Sequence, residues 1–225
     1  MRYLASFVIV LFFVQSITSQ TYEVGLMAGG SNYIGDVGST LYIAPNDIAL
    51  GAIAKWNRSK RHAFRASFLY AELNADDSKG DDRRKERGFS FNNSVKELSL
   101  GMEFNFWDWY LYDGKPQFTP YLYSGITAFN HGALALDANN ELDAYSDKWN
   151  FAIPMVVGIK KTLGRDFVIG AEIGARYTFT DNLDGSNPDD RFGTGFGNLN
   201  NNDWYVFTGI TLSYTWGRIP CDCTF

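Results

Sequence analysis

Histidine and cysteine are scarce, with two of each in 225 residues. His62 lies at the end of a short turn and His131 at the start of a long loop, so they fall near opposite rims of any sheet that carries both. No serine-histidine-acid spacing is present, which leaves nucleophilic catalysis without its base. The chain therefore reads as non-enzymatic. A charge excess is also lacking: the formal net charge is -5, no basic surface stands out, and nucleic-acid binding is set aside. Long apolar runs are confined to the N-terminus, where Leu4 to Val14 is nearly all apolar, between Arg2 and the small or polar Ser16 to Gln20. That run falls short of the roughly 20 residues a helix needs to span a bilayer. It reads as a secretory signal over residues 1–19, cleaved before Gln20, and no later segment has the length and apolarity of a transmembrane helix.

What is abundant points to strands. Aromatic residues make up 16% of the chain, and apolar side chains recur with period two, the spacing that puts them on one face of a strand. Trp149, Phe151, Ile153, Met155, Val157 and Ile159 alternate with Asn150 to Lys160, the most regular instance. Phe167 to Phe179 sets Ile169, Ala171 and Ile173 against Glu172 and Arg176. Trp204 to Trp216 sets Ile210, Leu212 and Tyr214 against Thr211, Ser213 and Thr215. Val95 to Phe106 and His62 to Tyr70 follow the same rule, and Tyr22 to Asn32 and Ile48 to Asn57 follow it more weakly. Thr119 to Asn130 is a strand of ambiguous phase.

A soluble sandwich also alternates, so the connections carry the distinction. Arg58 to Arg61, Tyr112 to Gln117 and Leu163 to Asp166 are tight, whereas Tyr33 to Asp47, Ala71 to Asn93, His131 to Asp147 and Thr180 to Asp203 are long and polar. Short and long connections in strict alternation are the pattern of outer-membrane barrels, with short periplasmic turns and longer external loops. An aromatic girdle of Trp107, Trp109, Trp149, Trp204 and Trp216 at strand ends fits the same reading. The expected fold is all-β: an eight-stranded antiparallel transmembrane β-barrel over residues 20–217, in the outer membrane and in contact with its lipid. Long loops are placed outside, and short turns and the C-terminal tail in the periplasm.

Eight strands leave an interior that side chains can fill, so a plugged lumen is expected. Lys55, Arg65, Glu97, Glu103, Lys160, Glu172 and Arg176 are the inward charges, read as a salt-bridged core, because an unpaired buried charge costs several kcal/mol. Acidic runs at Asp181-Asn182-Leu183-Asp184-Gly185 with Asp189-Asp190, and at Asp76-Asp77 with Asp81-Asp82, lack EF-hand spacing. They are read as solvated loops, as is Arg83 to Arg87, and no metal or other cofactor is expected. Cys221 and Cys223 lie in a tail of residues 218–225, in an oxidising compartment. A strained local bridge and a disulfide to a periplasmic partner both stay open.

Gly30 to Asp36, Lys55-Trp56-Asn57, Glu97-Leu98-Ser99, Thr119-Pro120-Tyr121-Leu122, Arg176 to Asp181, Asp203-Trp204-Tyr205 and Pro220-Cys221-Asp222-Cys223 resemble, as a set, the PorG-type outer-membrane proteins of Bacteroidota. The resemblance covers nearly the whole mature chain. It implies a non-enzymatic component of the type IX protein secretion apparatus, which serves gliding motility in some relatives. It also implies contact with a periplasmic ring of PorK lipoprotein and PorN, for which the Cys221 and Cys223 tail is suited. The alternative is a stand-alone surface barrel of the OmpA, OmpX or OmpW sort, which binds ligands or passes a small molecule.

Overall fold

The computed structural model describes residues 21–39, 41–111, 115–136, 141–188, 195–196 and 202–217. The expected signal segment and the cysteine tail lie outside these residues. Eight strands follow in order: β1 (Thr21–Ile34), β2 (Asp47–Asn57), β3 (His62–Asp76), β4 (Ser90–Asn105), β5 (Phe118–Leu136), β6 (Glu141–Leu163), β7 (Phe167–Thr178) and β8 (Trp204–Gly217). Each pairs with the next, and β8 pairs antiparallel with β1 from Thr21↔Gly217 to Ile34↔Trp204, closing the barrel. No strand edge is left open along the wall, which removes the unpaired backbone groups that hydrocarbon would not tolerate.

Alternation fixes which side chains face in. On β2, β3 and β4 the register sets Ala54, Ala66 and Leu100 side by side on one surface and Lys55, Arg65 and Glu103 on the other. The first surface is outermost on every strand: Leu26 is 71% exposed, Ile126 67% and Trp149 69%, with Phe68, Leu98, Val157, Ile169 and Leu212 also exposed. A soluble monomer rarely leaves more than a few hundred Å² of contiguous apolar surface in water. This band encircles the molecule, and hydrocarbon is the medium that would cover it.

On β5 the outward residues are Leu122, Ser124 and Ile126, while Tyr121, Tyr123 and Phe129 point inward. The phase was ambiguous in the sequence because the inward set is as aromatic as the outward set is apolar. Close approach of β4 to β5 requires Gly101 and Gly125, which face each other; a Cβ on Gly125 would sit 2.1 Å from the Leu100 carbonyl oxygen. At the tight β6–β7 turn Gly164 takes φ +71°, which favours glycine.

Three expected connections differ from the structure. His131 to Asp147 is not a loop: β5 runs on to Leu136 and β6 begins at Glu141, with a register shift between Ala133 and Leu134. Ser90↔Glu141 and Phe91↔Leu142 pair β4 with β6 in parallel there, and Ala133, Leu134 and Leu142 are buried. Burial on both faces from His131 to Leu134 erases the alternation on β5, and the β6 arm over 143–148 is mostly polar and exposed, with the composition of a loop. Ala71 to Asn93 likewise shrinks, since β3 extends to Asp76 and β4 starts at Ser90. Its outer residues are polar because they rise above the apolar band. In the other direction, the β4–β5 connection spans residues 106–117 rather than beginning at Tyr112.

Candidate functional site

Inside the wall, all seven expected charges are buried, and each meets an opposite charge. Near the short turns Glu103 receives Lys55 Nζ at 2.7 Å on Oε2 and Lys160 Nζ at 2.5 Å on Oε1. Above it, Arg65 forks Glu172 with two contacts of 2.8 Å, and the Tyr121 hydroxyl donates to the same carboxylate at 2.5 Å. Toward the long-loop mouth, Arg176 forks Glu97 at 3.0 and 3.2 Å, with the Tyr205 hydroxyl donating to Glu97 at 2.6 Å. Bidentate guanidinium–carboxylate pairs are among the stronger charge-assisted hydrogen bonds.

An eighth charge, Glu23, is buried beside them and accepts from Asn57 Nδ2 at 2.8 Å. It was missed in the sequence, although the alternation that sends Val24 and Leu26 outward also sends Glu23 inward. With Glu23 the lumen holds four carboxylates and four cations, so it carries no net formal charge. Between these layers Met27, Ile53, Leu69 and Phe207 pack as an apolar plug. Charges, aromatic rings and this plug fill the interior as a structural core.

Two caps close the ends. At the short-turn end Trp109 is 3% exposed. Its amide donates to the Lys60 carbonyl at 3.0 Å, and Lys160 Nζ lies 4.6 Å from its ring centroid. Trp109 is therefore not a girdle residue, as the sequence suggested: its connection folds inward and uses the indole as a lid over Lys160. Trp107, Trp149 and Trp216 are exposed on the outside, and Trp204 is half-buried against Tyr177 with ring centroids 5.0 Å apart.

At the long-loop end, Tyr33, Val37, Leu73, Phe91, Phe129, Leu134, Leu142 and Leu183 form one buried apolar cluster. Leu183 and Asp184 belong to the run expected to be solvated. Instead its described part, Asp181 to Gly185, is drawn into the mouth, while Asp189 and Asp190 lie outside the described residues: Asn93 Nδ2 donates to the Gly132 and Leu183 carbonyls at 2.8 and 3.0 Å, and Asp184 accepts from the amides of Asp36 and Ser186. Asp203 accepts from the Tyr33 hydroxyl and, at 2.9 Å, from the Leu183 amide. Burial pushes the carboxyls of Asp184 and Asp203 above the usual range, with Asp36 and Asp184 respectively adding repulsion. Burial, then repulsion from Asp184 and Asp36, raises Asp181 to about 6.

In the second acidic run Asp76, Asp81 and Asp82 are exposed as expected, whereas Asp77 is buried. Asp76 caps the 3-10 turn Asp77–Lys79, and Asp81 caps α1 (Asp82–Arg87) by accepting from Arg84 N. Buried Asp77 pairs with Arg87 at 2.8 Å, and Arg84 donates to the carbonyls of Gly35 and Gly38. Arg84 and Arg87 thus pin the β1–β2 loop and depart from the solvated reading, whereas Arg83, Lys85 and Glu86 are exposed as expected. Among the described residues no group of three or more His, Cys, Asp or Glu side chains is placed to hold a metal ion. His131 is buried at the mouth, with Nε2 2.9 Å from Asn150 Nδ2, and His62 is exposed at the other rim.

Among solved structures, the chain is similar to the attachment invasion locus protein Ail of Yersinia pestis, crystallised with the heparin analogue sucrose octasulfate (10% identity, TM-score 0.44, 89% of this chain and 100% of that one). It is also similar to the N-terminal β-barrel domain of Pseudomonas aeruginosa OprF (10%, 0.46, 88% and 100%) and to the outer membrane protein OprG of the same organism (10%, 0.46, 89% and 96%). No curated protein matches the chain. A family model matches residues 2–225, and the chain belongs to that family, described as Domain of unknown function (DUF6089).

Proposed function

We propose that this barrel sits in the outer membrane as a non-enzymatic component of the type IX protein secretion machinery, with its short-turn end toward the periplasm. There it contacts or anchors the ring of PorK lipoprotein and PorN. The observation that carries this reading is the filled lumen: four carboxylates, four cations, the Met27–Phe207 plug and a cap at each end occupy the interior. A barrel so packed offers its outer wall and rims for work, which suits an anchor better than passage of a small molecule. The set of motifs resembling PorG-type proteins supplies the identity of the machine, and the Cys221–Cys223 tail supplies a reach toward a partner.

The test is co-purification from detergent-solubilised outer membranes, with wild type and a Cys221→Ser/Cys223→Ser variant. The ring proteins are expected with the wild-type barrel and at reduced yield with the variant, while heat-modifiable migration of the barrel stays the same. A thiol-sensitive band of higher mass on non-reducing gels is expected if the bridge is intermolecular. Recovery of the barrel alone under conditions that keep the ring intact would replace this reading with the stand-alone surface barrel.

A further inference from the structure

We infer that the β1–β2 loop is an outer-leaflet anchor: Tyr42 and Ile43, with Leu41 beside them, lie in lipid at the upper edge of the apolar band. The inference rests on the membrane-spanning reading above but on no protein partner.

The connection from Tyr33 to Asp47 has the overall composition of a polar loop, yet it carries Leu41-Tyr42-Ile43, whose side chains are 63, 76 and 57% exposed. Among the described residues outside the strands, no other stretch exposes three consecutive apolar side chains. In water such a run has no cover.

This loop is fixed to the outside of the wall. Val24, Leu26 and Ala28 of β1 face outward, so parity sends Gly30 and Asn32 outward as well, and the β1–β8 ladder runs unbroken to Ile34↔Trp204. A Cβ on Gly30 would lie 2.6 Å from Pro45 Cβ, so Pro45 seats directly on the outer face of β1. One outward position higher, buried Asn32 clamps the loop: its Nδ2 donates to the Tyr42 carbonyl at 3.2 Å, and its Oδ1 accepts from the Ala44 amide at 3.3 Å. The Asn46 amide donates to the Ser31 carbonyl at 3.1 Å. The segment therefore lies along the outside of the barrel before it enters β2, rather than standing above the mouth.

Its height follows from the same ladder. Trp204 of the aromatic belt pairs with Ile34, and Asn32 is one outward position nearer the midplane. Gly30 pairs with exposed Ile48, and exposed Leu50 follows on the same face, so the loop borders the apolar band. The occupant is thus the one the band already has, the acyl chains of the outer leaflet. Irregular backbone meets lipid only where its polar groups are paired. The clamp pairs the Tyr42 carbonyl and the Ala44 amide on either side of Ile43. A hollow of about 500 Å³ between the loop, the end of β3 and the start of β4 is lined by Leu41 but by neither Tyr42 nor Ile43. Those two side chains meet the medium outside the wall.

The test uses the full mature chain with Cys221→Ser/Cys223→Ser, reconstituted at high dilution in phosphatidylcholine vesicles and carrying one nitroxide on an introduced cysteine. The labelled variants are Tyr42→Cys and Ile43→Cys on the loop, Leu26→Cys in the band and Ser78→Cys on the exposed polar turn at the mouth. Power-saturation EPR reads collisions of each nitroxide with oxygen, which concentrates among acyl chains, and with a water-soluble nickel chelate. The oxygen-to-nickel ratio at both loop positions is expected to be several-fold above that at Ser78 and below that at Leu26. Heat-modifiable migration verifies that each variant folds.

A ratio at either loop position no higher than that at Ser78 puts the loop in water and overturns the inference. Low collision rates with both reagents at either position also overturn it, since a protein surface such as a second copy then covers the loop. If Leu26 itself gives the ratio of Ser78, the membrane-spanning reading falls. A lipid-like value at Leu26 with aqueous values on the loop defeats the anchor alone.

Discussion

In the half of the lumen near the short turns Glu103 lies between Lys55 and Lys160 and Glu172 is forked by Arg65, whereas at the long-loop mouth Asp181, Asp184 and Asp203 gather with no ion pair among the described residues. Both regions bury carboxylates behind the same wall. The first neutralises them with fixed cations, at the cost of desolvating both partners. The second leaves Asp184 and Asp203 to amide and hydroxyl donors, from Tyr33, Leu183, Ser186 and the backbone of Asp36, while neither carboxylate oxygen of Asp181 accepts a hydrogen bond among the described residues. The difference separates a rigid girder from a cap whose stability follows the proton.

Removing a charge from the girder should have the largest effect. Glu103→Gln leaves Lys55 and Lys160 as neighbouring like charges, both buried, and is expected to destabilise the barrel by about 3–5 kcal/mol. Equilibrium unfolding in urea from lipid vesicles measures this. Replacing all three residues with methionine should recover most of the loss, because the penalty arises from uncompensated charge rather than from lost packing. If the single and triple variants unfold alike, the pairs are not what holds this half together.

Charge on the other side of the same strand gives a smaller effect with a different cause. β6 carries Lys160 inward and Ile153 outward near the middle of the apolar band. Ile153→Arg is expected to cost roughly 2–4 kcal/mol by placing an unpaired cation against hydrocarbon, and to impair insertion. Normal heat-modifiable migration and unchanged stability would mean that this face does not meet lipid, and the girder would then need another explanation for its sequestered charges.

Much of the wall was legible because period-two alternation is local: Ile153 and Lys160 lie on opposite faces by parity alone, and so do Leu100 and Glu103. Where parity sufficed, the fold class and the burial of the seven charges followed. The caps escaped because their burial is set by distant neighbours. Leu183 and Asp184 sit in a run rich in Asp, Asn and Gly that has the composition of a solvated loop, yet Asn93 on β4 and Tyr33 on β1 draw it into the mouth. Trp109 had the composition of a belt residue, and only the Lys60 carbonyl and Lys160 beside it explain the inward turn. The β5 arm of the hairpin at His131 to Asp147 failed for a related reason, since His131 to Leu134 are covered on both faces and show no alternation to read, while its exposed polar β6 arm has the composition of a loop.

The cap supplies the smallest effect and the most direct contrast. Asp181 is raised from 3.8 to about 6 by burial and by the charges of Asp184 and Asp36, so the folded cap binds its proton more tightly than the open loop does. Its stabilising contribution is complete below the ordinary aspartate value and is lost as pH rises through about 6. Amide hydrogen exchange at Leu183 and Ser186, corrected for the intrinsic pH dependence, should therefore quicken between pH 4 and 7, while lumen amides such as that of Arg65 stay equally protected. Asp181→Asn removes the titrating group and should flatten that dependence. Identical protection of cap and lumen across the whole range would erase the distinction between a cap governed by protons and a core governed by ion pairs.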